Sequence, residues 1–144
     1  MFRVTRRYRF AASHRLHALQ LSAEENRRLY GKCNHPFGHG HDYVLDVSVR
    51  GPLDALTGRA ADTAALDELV ARRVIRDFDH RDLNSEVEAF ARAVPTSENL
   101  AGEICRRLKE SWSGSFPGEW PKLEGVRLAE TSKNVFEMRA DEAE

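Results

Sequence analysis

Two stretches of alternating side chains constrain the fold of this 144-residue chain more than any other feature. In FRVTRRYRF (2–10), apolar or aromatic side chains recur on one side, while the other side carries arginines and a threonine. DYVLDVSVR (42–50) repeats the pattern, and Gly51-Pro52 ends it. A period of two is typical of a strand with one buried face. The sequence therefore predicts two half-buried β-strands.

Two later segments show helical spacing instead. Leu66, Leu69 and Val70 follow a possible N-cap at Asp62 or Thr63, which predicts a helix that runs to about residue 76. PTSENLAGEICRRLKESW (95–112) has Thr96 or Ser97 as cap and an apolar stripe along one side, so it predicts a second helix.

The segment 77–90 between these helices is predicted to be a loop, and 125–130 with 134–140 a final hairpin. The order β, β, α, α, β, β predicts an α+β fold, in which both helices cover one face of a four-stranded antiparallel sheet. At 144 residues, the whole chain (1–144) fits one domain.

Composition excludes several classes of protein. The chain has 41% hydrophobic and 31% charged residues, with 22 basic against 23 acidic side chains, so nothing in its charge favours nucleic acid or an anionic membrane as partner. No apolar run approaches the ~20 residues of a membrane span, and the N-terminus alternates instead of forming a signal peptide. Two cysteines are too few for a disulfide framework. We therefore expect a cytoplasmic protein.

The segment GKCNHPFGHGHDY (31–43) predicts a metal site. His39 and His41 are two apart at the start of a strand, so both imidazoles can point to one ion, and His14 at the end of the first strand could supply a third. Three imidazoles with an open position are typical of a catalytic zinc site, and a fourth ligand would make the site structural. Cys33 could be that fourth ligand, or it could stay off the metal beside a cation and a base, with a lowered pKa, as a base or nucleophile.

Asp79 and His80, in the segment between the two helices, could activate the Cys33 thiol. An imidazole that is hydrogen-bonded to the thiol, with a carboxylate orienting the ring, is the arrangement that such activation requires.

Five blocks in order make the chain resemble a known family. They are ASHRL (12–16), KCNHPFGHGHDY (32–43), DFDHRDLN (77–84), PTSENLA (95–101) and AETSKNVFE (129–137). Together they are similar to the 6-pyruvoyltetrahydropterin synthase and 6-carboxytetrahydropterin synthase family. The resemblance implies the T-fold, whose barrel is completed by oligomerisation, and a homohexamer made of two trimers. The predicted four-stranded sheet agrees with a homohexamer, because its open edges leave main-chain groups unpaired unless neighbouring subunits complete them.

The resemblance also implies the roles of the site residues. The metal ligands for Zn²⁺ would be His14, His39 and His41, and the proton-transfer group would be Cys33, Asp79 and His80. Glu130 would anchor the pterin, and it continues a strand face with Val126 and Leu128, so we expect it to be shielded. Thr96, Ser97 and Glu98 would help to hold the pterin, although helix capping accounts for the same residues. The triphosphate-binding cations stay unassigned among Arg15, Lys32, Arg81 and Lys133.

The family's substrate is 7,8-dihydroneopterin triphosphate, and the resemblance implies a zinc-dependent lyase that eliminates triphosphate, as in tetrahydrobiopterin biosynthesis. The spacing Cys33-x5-His39-Gly-His41 resembles the pyruvoyl-forming branch, whereas C-x3-HGH resembles the 6-carboxytetrahydropterin synthase of the deazapurine (queuosine) pathway. His35 is then a loop or substrate-facing side chain. A structural zinc protein with Cys33 as fourth ligand is the alternative from another class.

Overall fold

The computed structural model of the protein describes residues 1–143. Five strands and five helices follow one another along this part of the chain. They are β1 (Phe2–His14), α1 (Ala23–Tyr30), β2 (His39–Gly51), α2 (Thr63–Val70), α3 (Arg76–Phe78), β3 (Arg81–Asp82), α4 (Leu83–Glu86), α5 (Ser97–Ser115), β4 (Lys122–Ala129) and β5 (Val135–Arg139). A π-helical turn (Ala71–Ile75) joins α2 to α3 without a break, and 3-10 turns span Gly31–Asn34 and Glu88–Phe90.

The sheet has the strand order β3-β1-β2-β4-β5. Strands β1 and β2 pair antiparallel over their whole lengths, from Phe2 opposite Gly51 to His14 opposite His39. The predicted alternation is confirmed, because Phe10, Ala12 and His14 are buried on the face where Tyr43 also lies. At this end β1 continues four residues beyond its predicted segment, to His14. Strand β2 begins three residues before its predicted segment, at His39.

Both predicted long helices cover this buried face. Asp62 is the N-cap that accepts from Ala65 N–H, and the helix runs through the π-helical turn to Phe78, two residues beyond the prediction. Thr96 caps α5, whose apolar stripe is buried. Leu66, Leu69, Leu100, Ile104 and Leu108 are fully buried in one core, and Cys105 lies among them as a packed, free thiol.

Two parts of the predicted fold need correction. The sheet has five strands and is mixed, because β3 pairs parallel to β1 at Ala12 and Ser13, so the segment predicted to be a loop contains β3, α4 and a 3-10 turn. A two-residue strand has no periodicity that a sequence could reveal.

Helix α1 was not predicted because it has almost no buried apolar stripe, and Asn26 is its one buried residue. Ser22 and Glu25 form a reciprocal capping box at its start. In this case the capping signal marks the helix, while the hydrophobic pattern does not. Within residues 1–143, no helix is both long and apolar enough to cross a bilayer.

Candidate metal centre

Three histidines meet at one end of the β1–β2 ladder. His14 is directly opposite His39 in the register, and His41 is opposite Ala12, two residues away on the same face. The Nε2 atoms of His39 and His41 are 2.8 Å apart, and those of His41 and His14 are 3.2 Å apart. The strand parity that the sequence indicates therefore brings the three predicted ligands together.

Backbone carbonyls fix two of the rings. The Nδ1 atom of His14 is 2.9 Å from the carbonyl oxygen of Pro95, and that of His39 is 3.1 Å from the carbonyl oxygen of Lys32. A carbonyl oxygen can only accept, so each Nδ1 carries the hydrogen and each Nε2 presents its lone pair to the centre. Both rings thus present a nitrogen that could bind a metal ion, and nothing in the sequence around Pro95 or Lys32 indicates these two contacts.

The protonation of the cluster also suits a cation. Burial lowers the pKa of His14 and is the largest cause of the lowered pKa of His41, although the charge of Glu130 opposes it. Both imidazoles are consequently neutral near pH 7, the form that can bind a metal ion.

Cys33 lies beside the histidines, in the 3-10 turn that precedes β2. Its Sγ is 3.4 Å from Nε2 of His39, and the donor atoms of all four side chains lie within 4.8 Å of one another. The turn is tied to the end of β1, since the Leu16 N–H donates to the Cys33 carbonyl at 2.7 Å and Asn34 Nδ2 donates to the Leu16 carbonyl at 2.7 Å. This proximity leaves both predicted roles of Cys33 open.

The surroundings of the thiol differ from the expected ones. Burial, followed by the negative charge of Glu130, raises the pKa of Cys33, where a cation and a base would have lowered it. In this chain by itself Cys33 is therefore a protonated thiol near pH 7.

Glu130 follows β4 directly and reaches the cluster. Its Oε1 is 2.9 Å from Nε2 of His41 and 3.5 Å from Nε2 of His14. The side chain is 11% exposed, so the predicted shielding is confirmed. A shielded carboxylate with one side on the histidines can take a cation or a pair of N–H donors on the other.

Asp79 and His80 form the predicted carboxylate–imidazole pair, at the outer edge of β1. Asp79 Oδ1 accepts from Ala11 N–H at 2.9 Å, its Oδ2 is 3.1 Å from Nδ1 of His80, and the His80 N–H donates to the Ala11 carbonyl at 2.6 Å. The His80 backbone has a φ of 59°, and its side chain is 83% exposed. Among the described residues no hydrogen bond joins His80 to Cys33, so one chain does not bring the pair to the thiol.

The three residues at the start of α5 have different environments. Thr96 accepts from Asn99 N–H at 3.2 Å as the helix cap. Ser97 is 3% exposed, and its hydroxyl has no hydrogen-bond partner within residues 1–143. Glu98 is exposed and lines a separate cleft beside Met138. Of the three, only Ser97 therefore has a buried polar atom without a partner, two residues from the carbonyl that holds His14.

Two further candidates near the centre, Arg15 and His35, contact the loop and not the cluster. Arg15 donates from Nε to the Asn34 carbonyl at 3.2 Å. His35 accepts from Phe37 N–H at 3.3 Å and is exposed, in agreement with its exclusion from the ligand set.

Comparisons with known proteins agree on one family. A family model described as 6-pyruvoyl tetrahydropterin synthase matches residues 3–141. The 6-pyruvoyl tetrahydrobiopterin synthase of Homo sapiens is 43% identical over 138 residues, which are 96% of this chain and 91% of that protein. That of Poecilia reticulata is 40% identical, over 96% of this chain and 90% of that protein. The solved 6-pyruvoyl tetrahydropterin synthase of Caenorhabditis elegans superposes with a TM-score of 0.87 at 38% identity, covering 96% and 94% of the two chains.

Proposed function

The chain belongs to the 6-pyruvoyl tetrahydropterin synthase family, and from this premise we propose that it is a zinc-dependent lyase. Its substrate would be 7,8-dihydroneopterin triphosphate and its products 6-pyruvoyltetrahydropterin and triphosphate. The observation that carries this proposal is the convergence of three imidazole nitrogens and one thiol within 4.8 Å, beside a shielded carboxylate.

Zinc is the metal that this donor set fits best. Imidazole nitrogens with or without a thiolate suit Zn²⁺, and two of the rings already present an Nε2 lone pair towards the others. His14, His39 and His41 would hold the ion. When bound, it would act as a Lewis acid that acidifies the C–H and O–H groups of the substrate side chain.

The other residues would bind the pterin and move protons. Glu130 would accept two hydrogen bonds from the amino and ring N–H groups of the pterin, and the unused Ser97 hydroxyl would add a polar contact. Cys33 would take a proton from a side-chain carbon, after which the C–O bond to the triphosphate breaks and internal tautomerisation completes the product.

A base for the Cys33 thiol would come from a second subunit. The raised pKa of Cys33 calls for a proton acceptor, and the exposed Asp79–His80 pair lies on an edge of the sheet that another chain can approach.

Within residues 1–143, β3 covers only Ala12 and Ser13 of that edge, which leaves Phe2–Phe10 open, and β5 is open at the opposite edge. Open edges of this length favour pairing with further copies, and we propose a cytoplasmic homohexamer of two trimers, each subunit being one domain.

Mixing subunits tests this sharing. We expect Cys33→Ala and His80→Ala to be inactive alone and to regain turnover when co-expressed as mixed oligomers, because some sites then receive an intact pair. Mixed oligomers without activity would show that both residues serve the same chain's site.

The product of the reaction tests the proposed branch. The zinc-loaded protein is incubated with 7,8-dihydroneopterin triphosphate, and the pterin is identified by mass spectrometry. The five-residue spacing between Cys33 and His39 favours the 6-pyruvoyl product, while a 6-carboxy product would assign the chain to the deazapurine branch.

A structural zinc site is the second candidate, and the distance of 3.4 Å between the Cys33 thiol and His39 favours it. Cys33→Ala separates the two. A catalytic thiol predicts unchanged zinc content and lost turnover, whereas a fourth ligand predicts loss of zinc and of the folded state. Cys33→Ser, which keeps the size of the side chain, is the matched control.

A further inference from the structure

A row of cations crosses the sheet at the end remote from the metal centre. Arg3 is opposite Arg50 in the β1–β2 register, and Arg50 is opposite Lys122 in the β2–β4 register. Directly opposed side chains have Cβ atoms roughly 5 Å apart, so like charges in these positions repel one another. Three such positions in one row make an arrangement that destabilises the sheet unless something compensates for it.

The surrounding carboxylates do not compensate for two of the three charges. Glu124 pairs with Arg3 at 2.7 Å, and Asp141 pairs with Arg139 at 2.8 Å. Glu137 lies 3.7 Å from Arg127. Within the part of the chain that the structure describes, neither Arg50 nor Lys122 forms an ion pair. Glu124 is therefore engaged with Arg3 inside the row, while Asp141 and Glu137 lie beside arginines outside it.

Trp120 brings the two unpaired cations together. The Nζ atom of Lys122 is 4.7 Å from the centre of the indole ring, and Cζ of Arg50 is 5.8 Å from it. Cation–π contacts hold both side chains over one ring without neutralising either charge. Trp112 supports this segment, since its Nε1 donates to the Pro121 carbonyl at 3.1 Å.

The row opens on a cleft of about 860 Å³. Its charged lining consists of five cations and three carboxylates, with Trp112 of α5 beside them: Arg3, Arg50, Lys109, Lys122, Arg139, Glu124, Glu137 and Asp141. One strand spacing of about 4.8 Å separates the backbones of Arg50 and Lys122, a distance that the oxygens of two linked phosphoryl groups can bridge. Arginine and lysine are also the side chains that bind phosphate oxygens with charge-assisted hydrogen bonds.

We propose that this cleft binds a condensed phosphate, with Arg50 and Lys122 as its principal ligands. The eleven residue steps from His39 to Arg50 along β2 place it roughly 35 Å from the metal centre, at ~3.3 Å per step. The cleft is thus a second site, independent of the proposed lyase reaction. The ligand is a compact polyanion, which neutralises the unpaired charges of the row and removes their mutual repulsion.

Tryptophan fluorescence can report on this site, because Trp112 lines the cleft and Trp120 contacts the side chains of Arg50 and Lys122. The zinc-loaded protein is titrated with inorganic pyrophosphate at low ionic strength, with excitation at 295 nm. We expect a saturable change in emission, and a half-saturation concentration at least about tenfold higher in Arg50→Gln and in Lys122→Gln, since each loses one charge-assisted contact. Arg50→Lys, which keeps the charge, should bind more tightly than Arg50→Gln.

The control is Arg72→Gln, an exposed cation on the turn after α2 with no part in the cleft. An equal loss of affinity in this variant would mean that pyrophosphate responds only to net charge, and the proposal would be wrong. A change that does not saturate would also overturn it. If the cleft variants instead alter the oligomeric state in light scattering while pyrophosphate leaves the fluorescence unchanged, the row is a subunit contact and not a ligand site.

Discussion

Arg107 connects the two long helical segments, and its replacement tests the energetics of the fold most directly. From α5, its Nε donates to Glu103 at 3.0 Å, and its Nη1 donates to Asp77 at 2.7 Å and to the Arg73 carbonyl at 3.1 Å. The guanidinium also lies 4.7 Å from the centre of the Phe78 ring. The side chains of Arg107 and Glu103 are 14% and 12% exposed, so this ion pair is largely removed from water.

Arg107→Met keeps the aliphatic stem over Phe78 and removes the charge and all three hydrogen bonds. A charge-assisted hydrogen bond contributes about 1.5–3 kcal/mol and a broken buried pair costs about 3–5 kcal/mol. Because Asp77 is 44% exposed and can return to water, and because Glu103 keeps a bond to Arg106, we expect a loss of about 2 kcal/mol in the free energy of unfolding. Urea denaturation at fixed protein concentration measures it.

The loss of stability in Arg107→Met should become smaller as the pH is lowered. Burial raises the pKa of Glu103, but the hydrogen bonds from Arg106 and Arg107 outweigh it, so this pKa lies below its usual value. A carboxyl group whose pKa is lower in the folded state adds to the free energy of unfolding. This contribution has its full value above the unfolded-state pKa of about 4.3 and is lost as the pH falls through the folded-state pKa. The difference between the wild type and Arg107→Met should therefore be constant from pH 6 to 7 and shrink below about pH 4.

Arg106→Met is the matched control, because Arg106 bonds the same Glu103 from a side chain that is 46% exposed. An exposed pair contributes roughly 0–1 kcal/mol, so this variant should lose clearly less stability. Equal losses in the two variants, or a difference that does not change with pH, would refute the assignment of the stability to the shielded pair.

Four further outcomes follow from the site and the core. Glu130→Gln should raise KM for the pterin substrate by about tenfold or more with zinc content unchanged, as measured by steady-state kinetics and metal analysis. His80→Ala should leave the melting temperature nearly unchanged, since its side chain is 83% exposed, while turnover falls by about 100-fold or more. Leu108→Ala, at a fully buried position, should cost about 2–5 kcal/mol in urea denaturation. Removal of metal with a chelator should abolish turnover, and added Zn²⁺ should restore it with no change in circular dichroism.

Local periodicity explains why much of the fold could be predicted. Alternation fixes which side of a strand is buried, so the parity that buries Phe10 and Tyr43 also brings His14, His39 and His41 to one face. The helical stripe of α5 is equally local, and both features are confirmed. The hydrophobic pattern does not predict helix α1, because the helix buries too few side chains in the core to need an apolar stripe.

The sequence by itself determined the parity of the strands, the two covering helices and the placement of His39 and His41 on one strand face, because each depends on residues a few positions apart. The pairing of β1 with β2 then brings His14 to the same cluster. Only the tertiary structure decided that Glu130 touches His41, that the carbonyls of Pro95 and Lys32 orient two imidazoles, and that Cys33 lies among groups that raise its pKa. These contacts join residues that are remote in the chain or depend on the backbone path of a turn. No local pattern encodes them, since they arise only when the whole core is packed.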